Sequence, residues 1–140
     1  MQSLSFSQNW NGKLLLDVFG TVRRHNPSKY FVENDLLVDY RGKELGIVKV
    51  EAIITFRFDQ INDRLSYIDV GKPAHYLAAL LSKMYSSKDI VLPSTQFNHV
   101  ILRYTQRHLQ NQELLLKDWW DGKIEQQPQP TQASFEFLSR

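Results

Sequence analysis

Cysteine is absent from the 140 residues, which excludes a disulfide framework, a thiolate nucleophile and any Cys-ligated zinc or iron–sulfur site. Histidine is sparse: His25, His75, His99 and His108 stand without a paired spacing, so no metal centre is expected. No apolar run approaches the roughly 18 residues of a spanning helix. The opening Met1-Gln2-Ser3-Leu4-Ser5 lacks the basic start and apolar stretch of a signal peptide. A cytoplasmic protein without a membrane partner is the expectation. Charge of one sign is also lacking, since 17 Lys+Arg face 15 Asp+Glu for a net +2. That balance is compatible with nucleic acid without requiring it.

What is present amounts to one domain. A chain this long buries about 68–70% of its unfolded surface and needs no staple. We place the domain at 1–122 and a tail at 123–140. The tail holds Gln126-Gln127-Pro128-Gln129-Pro130, a composition that cannot bury enough apolar area to offset its chain entropy.

Inside the domain the periods alternate. Asp35–Tyr40 reads as a strand, Arg41-Gly42-Lys43-Glu44 as a turn, and the next run as a second strand paired with it in a hairpin. In that run Val48, Val50, Ala52, Ile54, Phe56 and Phe58 fall on one period-2 face. Asp59 is the expected N-cap of a helix running to Leu65. Pro73 opens another, with Leu77, Leu80, Leu81 and Met84 forming one buried stripe. His99–Tyr104 reads as a closing strand that brings His99 and Arg103 to one face, at a barrel mouth. Gln112–Trp120 reads as an amphipathic segment with Leu114, Leu115 and the Trp119-Trp120 pair. The order indicates an α+β domain, best met by a small, partly closed β-barrel with two or three helices packed around it.

The densest polar run is Gly20-Thr21-Val22-Arg23-Arg24-His25-Asn26-Pro27-Ser28-Lys29-Tyr30. Guanidinium forks match phosphate and carboxylate, and Tyr offers a stacking face to a base. The same run also fits a solvated loop whose cations pair with Asp17, Glu33 or Asp35.

Thr21-Val22-Arg23, Lys29-Tyr30, Asn34-Asp35-Leu36-Leu37-Val38, Gly46-Ile47-Val48-Lys49-Val50 and Phe58-Asp59 together resemble an ASCH domain, a family of PUA-like β-barrels. The resemblance spans roughly Leu4 to Tyr104. It implies RNA binding or nucleoside chemistry, since some members are acetylcytidine amidohydrolases and others are reported as nucleases. The amidohydrolases carry Gly-x-Lys-x-x-Thr-x-Arg, of which Thr21 and Arg23 match the second half. Leu16 and Val18 occupy the Gly and Lys places, and Gly12-Lys13 lies upstream. The family's acid corresponds to Asp69. The resemblance thus implies a candidate catalytic set of Thr21 for the hydroxyl, Asp69 for the base, and Lys13 or Arg23 for the positive charge.

Asp69 also reads as an ordinary turn or cap residue, and Trp10 as a seal of the barrel base. For Lys13 to reach Thr21, the Leu14–Phe19 segment must fold back and find burial for Leu14, Leu15 and Leu16. The apolar Val18 in the Lys place therefore favours a binding module over an enzyme. On that reading Arg23, Arg24 and Lys29 meet phosphate, Thr21 and Asp69 bond a base edge, and Trp10, Tyr30 or Tyr67 stack. The partner is RNA, a nucleotide or a modified nucleoside, with no cofactor. A hydrolase of acylated nucleosides or RNA is the enzymatic alternative. An accessory protein docking through the Trp/Leu-rich C-terminal segment is the third.

Overall fold

A computed structural model describes residues 1–85 and 91–126, so the Gln/Pro run beyond falls outside the described residues. The fold is mixed α+β. Five strands, β1 (Ser3–Phe6), β2 (Val18–Arg24), β3 (Asp35–Tyr40), β4 (Lys43–Arg57) and β5 (Gln96–Arg107), form one sheet in the order β1-β3-β4-β5-β2. β1 runs parallel to β3, and the other pairings are antiparallel. The helices are α1 (Asp63–Val70), α2 (Ala74–Tyr85) and α3 (Leu109–Gln126), with a kinked 3-10 segment at Trp10–Leu15 and a single 3-10 turn at Phe58–Gln60.

The expected β3–β4 hairpin is present. Arg41 and Gly42 have φ of 52° and 82°, and two consecutive left-handed residues match the twist of a tight hairpin. β4 departs from the single apolar face expected for it. A register shift between Val50 and Ala52 makes Glu51 an extra residue on β4, and such a bulge moves the period by one. Val48 and Val50 are fully buried, Ile53 packs beside them, Ile54 is 60% exposed, and Phe56 is buried in a second cluster. One strand thereby serves two cores. The first holds Leu4, Leu14, Phe19, Leu36, Val48 and Leu102 inside the curl, and the second holds Val22, Phe56, Leu77, Leu81 and Phe97.

The sheet curls into a half-barrel. β1 and β2 are its opposite edges, yet Phe6 and Phe19 meet edge-to-face at 6.0 Å. Arg23 on β2 also donates through Nη2 to the Ser5 carbonyl on β1 at 2.9 Å. Free strand edges carry unpaired backbone groups that must be satisfied or protected. On β2 this falls to side chains: the Val22 N–H donates to Asp69 Oδ1 and the Arg24 N–H to the Tyr85 hydroxyl.

Asp59 is not the helix cap. It lies in the Phe58–Gln60 turn, paired with Arg57 at 3.0 Å, while Asn62 Oδ1 accepts the Leu65 N–H at 2.9 Å and starts α1. Of the expected α2 stripe, Leu77 and Leu81 are buried, Leu80 is half-buried, and Met84, at the far end, is 49% exposed. α3 runs to Gln126, past the boundary drawn at 122, and faces the sheet with Gln112 and Leu115, leaving Leu114 43% exposed.

Candidate functional site

The seam between the two sheet edges is where the polar residues gather. Asn11 and Gly12 hold φ of 58° and 69° inside the Trp10–Leu15 turn, conformations that Asn and Gly tolerate best. Asn9 clamps the turn, its Oδ1 accepting the Leu14 N–H at 3.0 Å. The chain reverses here and sends Lys13 back toward β2. Of the three leucines that follow, Leu14 is fully buried, Leu15 packs at the core margin and Leu16 is 54% exposed. The fold-back thus finds burial for one leucine completely and leaves another in water.

Lys13 is only 4% exposed. Its Nζ donates to Asp69 Oδ1 at 2.7 Å and to the Asp69 carbonyl at 3.1 Å, and lies 5.7 Å from the centre of the Phe6 ring. The ammonium therefore caps the C-terminus of α1, where helix carbonyls favour a cation. Gly71, at φ 71°, ends that helix, and the Asn11 side chain packs beside it. Burial pushes the Lys13 pKa down, against Asp69, which raises it through charge and hydrogen bond. Asp69 receives Lys13 and the Val22 N–H on the same oxygen, Oδ1, leaving Oδ2 for a ligand. Thr21 Oγ1 accepts from Arg23 Nε at 3.3 Å, so the hydroxyl proton is free to be donated or removed. Arg23 lies 4.6 Å over the Phe6 ring.

Lys13, Thr21, Arg23, Asp69 and Trp10 all line one cavity of about 470 Å³, within the range of small-molecule sites. Its other walls are Ser5, Phe6, Ser7 and Gln8 from β1 and the segment after it, Val22 and Val70, and Leu77, Leu80, Leu81, Lys83 and Met84 from α2. Trp10 both lines the cavity and packs edge-on against Tyr76 at 5.9 Å. Asp69 is a buried residue within α1 rather than a turn residue.

A solved structure can be set beside this fold. No family model matches the chain, and no curated protein does. The crystal structure of protein EF3133 from Enterococcus faecalis V583, described by the family model DUF984, superposes with a TM-score of 0.53 at 7% identity. The match covers 68% of this chain and 65% of that one, just under two thirds of the neighbour's length. At that identity the likeness concerns fold alone.

Four of the expected ligand residues lie outside the cavity lining. Tyr30 is 7% exposed in the first core, so its ring is packing rather than a stacking face. Lys29 lies along that ring, 5.6 Å from its centre. Arg24 is directed to Tyr85, 6.0 Å from the ring centre. Tyr67 is 51% exposed on α1. The polar run is divided because Thr21–Arg24 belong to β2, while His25–Tyr30 leave the sheet. His99 and Arg103 do not gather at a mouth either. Arg103 is exposed and pairs with Glu51, whereas His99 is 6% exposed with Nε2 lacking a hydrogen-bond partner. Burial pushes the His99 pKa down, while Asp69 raises it and Lys13 lowers it.

Sequence reasoning missed the β1 wall and the second role of α2. Ser5, Ser7 and Gln8 gave no chemical signal. The Asn11-Gly12 dipeptide did, because Asn-Gly marks a tight turn and thus the reversal that delivers Lys13.

Proposed function

We propose that this is an ASCH-like domain of the PUA-like type that binds a nucleotide or modified nucleoside in the seam cavity. The observation that carries the reading is the meeting of Lys13, Thr21, Arg23 and Asp69 at one concave surface. Arg23 and Lys13 suit an anionic or carbonyl oxygen, Thr21 and Asp69 Oδ2 suit a base or amide edge, and Trp10 supplies aromatic area. Arg24 and Lys29, half-buried and outside the cavity lining, suit phosphates of a longer strand. Isothermal titration with cytidine, cytidine monophosphate and single-stranded RNA tests this. The RNA log–log salt slope is expected near −2 at most, about 0.7 for each of two or three phosphates. Replacing Arg23 and Arg24 with Ala should abolish RNA binding with the far-UV spectrum intact. Unchanged binding would remove these residues as the contact surface.

A second reading, hydrolysis of an acylated nucleoside, is favoured by one observation. Lys13 occupies the wall beside Asp69 and shares the cavity with Thr21. The cation that the apolar Val18 cannot provide is thus supplied from another part of the chain. In this reading Asp69 takes the Thr21 proton, directly or through water. The hydroxyl or that water attacks the amide carbon, and Lys13 or Arg23 holds the resulting oxyanion. Its collapse breaks the C–N bond as Asp69 returns the proton to the leaving cytidine amine; an acyl group left on Thr21 is then released as acetate by water. The assay is release of acetate from acetylcytidine by the native chain beside Thr21→Ala and Lys13→Ala. Turnover lost in both variants supports hydrolysis, and no turnover by the native chain leaves the binding reading.

A further inference from the structure

The cavity is polar mainly along the seam. Lys13, Thr21, Arg23 and Asp69 stand at the seam, whereas α2 contributes Leu77, Leu80, Leu81 and Met84, with Lys83 its one polar side chain there. Leu77 and Leu81 are spent in the core at 0% and 1% exposure. Leu80 is half-buried, and Met84 is 49% exposed. These two, with half-buried Trp10, leave apolar surface facing the cavity unfilled. A ribose or a base edge turned to that wall would lose its hydrogen bonds to water with almost none in return. A hydrocarbon chain loses nothing, and Met adapts readily to its shape.

Resting on the reading of this cavity as the ligand site, we infer that the group it takes deepest is an aliphatic acyl chain longer than acetyl. The carbonyl or carboxylate end lies among Lys13, Thr21, Arg23 and Asp69, and the chain lies along Leu80, Met84 and Trp10. Charge complementarity fixes the direction. Arg23 uses Nε on Thr21 and Nη2 on Ser5, so two of the five donors a guanidinium carries are engaged in those bonds and the fork still presents charge to an oxygen. A chain reversed in the cavity would set hydrocarbon on Lys13 and Arg23 and exchange the cations and hydroxyl of the seam for Lys83 alone among leucines and Met84.

Isothermal titration with acetate, butyrate, hexanoate and octanoate reads the inference. Cytidine, N4-acetylcytidine and N4-hexanoylcytidine form parallel arms that separate a free acid from an acyl group carried on a nucleoside. Affinity should rise about fourfold per methylene, the equivalent of burying one CH₂. L80Q and M84Q, at half-buried and exposed positions, should flatten that rise. Arg23→Gln should weaken every member of the series by a similar factor while keeping the rise. A flat series in the native chain, or a rise unchanged in L80Q and M84Q, overturns the inference. Binding of cytidine with a flat acyl series leaves the nucleoside reading standing without the acyl one. Binding of the acids without cytidine does the reverse, and binding of neither removes the cavity as a ligand site.

Discussion

Replacing Asp69 with Asn keeps its shape and its acceptor for the Val22 N–H, and removes only the charge that Lys13 meets. Lys13 and Asp69 side chains are 5% and 7% exposed, with 2.7 Å between them. Removing one partner of a pair so buried leaves an uncompensated charge, which costs about 3–5 kcal/mol. At about 4 °C per kcal/mol for a domain of this size, the thermal midpoint should fall by roughly 12–20 °C. The loss should depend on pH with a definite sign. Burial already lowers the Lys13 pKa from 10.5, and Asp69 opposes that shift. Without Asp69 the folded pKa drops further. The unfolded chain then holds the proton over a wider range than the folded one, so stability rises with pH from the folded pKa up to 10.5. The Asp69→Asn deficit should accordingly be full below the variant's folded Lys13 pKa, while Asp69 of the native chain is charged, and should shrink as pH climbs from there to the native chain's own lowered Lys13 pKa. The double variant Lys13→Met/Asp69→Asn, with no buried charge left, should recover most of the loss. Urea melts of native, single and double variants across pH measure all of this. A deficit for Asp69→Asn below about 1 kcal/mol, the range of solvated surface pairs, would refute the buried-pair argument. So would a deficit that grew with pH across that window.

Three further outcomes follow from the same packing. A Cβ on Gly20 would lie 2.6 Å from His99 Nε2, so Gly20→Ala should destabilise by about 1–3 kcal/mol, the usual cost of overpacking. A double-mutant cycle with His99→Ala should show coupling of about 0.5 kcal/mol or more, and additivity would place the strain elsewhere. Burial holds the His99 pKa below 6.5, so its share of stability is complete above 6.5 and is lost as pH falls from there through the folded value. Equilibrium unfolding of His99→Gln should lack that part of the acid slope; an unchanged slope would assign it to other groups. Asn62→Ala should cost about 1 kcal/mol as a lost cap, whereas Asp59→Ala, at an exposed ion pair, should stay within about 0.5 kcal/mol in thermal or urea melts. The reverse order would restore Asp59 as the cap.

What the sequence determined by itself is the set of elements whose cause is local. Alternation over Asp35–Tyr40, the turn at Arg41-Gly42 and the Leu77/Leu81 spacing of α2 act within a few residues, and each stands where the pattern puts it, whereas the alternation over Val48–Phe58 gives a strand but not its single face. The β4 bulge at Glu51 was not legible, because Ala52 and Ile54 continue the alternation on paper and only the pairing with β5 breaks it. Thr21, Arg23, Asp69 and Lys13 were legible as residue types, and their meeting was not. Lys13 and Asp69 lie 56 positions apart. They meet because the sheet curls until its edges face each other, a left-handed pair at Asn11-Gly12 turns the chain back, and α1 ends against both. Tyr30 shows the converse. Its place beside cations marked it as a ligand residue, but the interior of the curl had apolar area to fill and took the ring. Periodicity records which face a residue takes on its own element. Which elements face each other is decided by sheet curvature and by the need to satisfy free strand edges, and neither leaves a local mark in the chain.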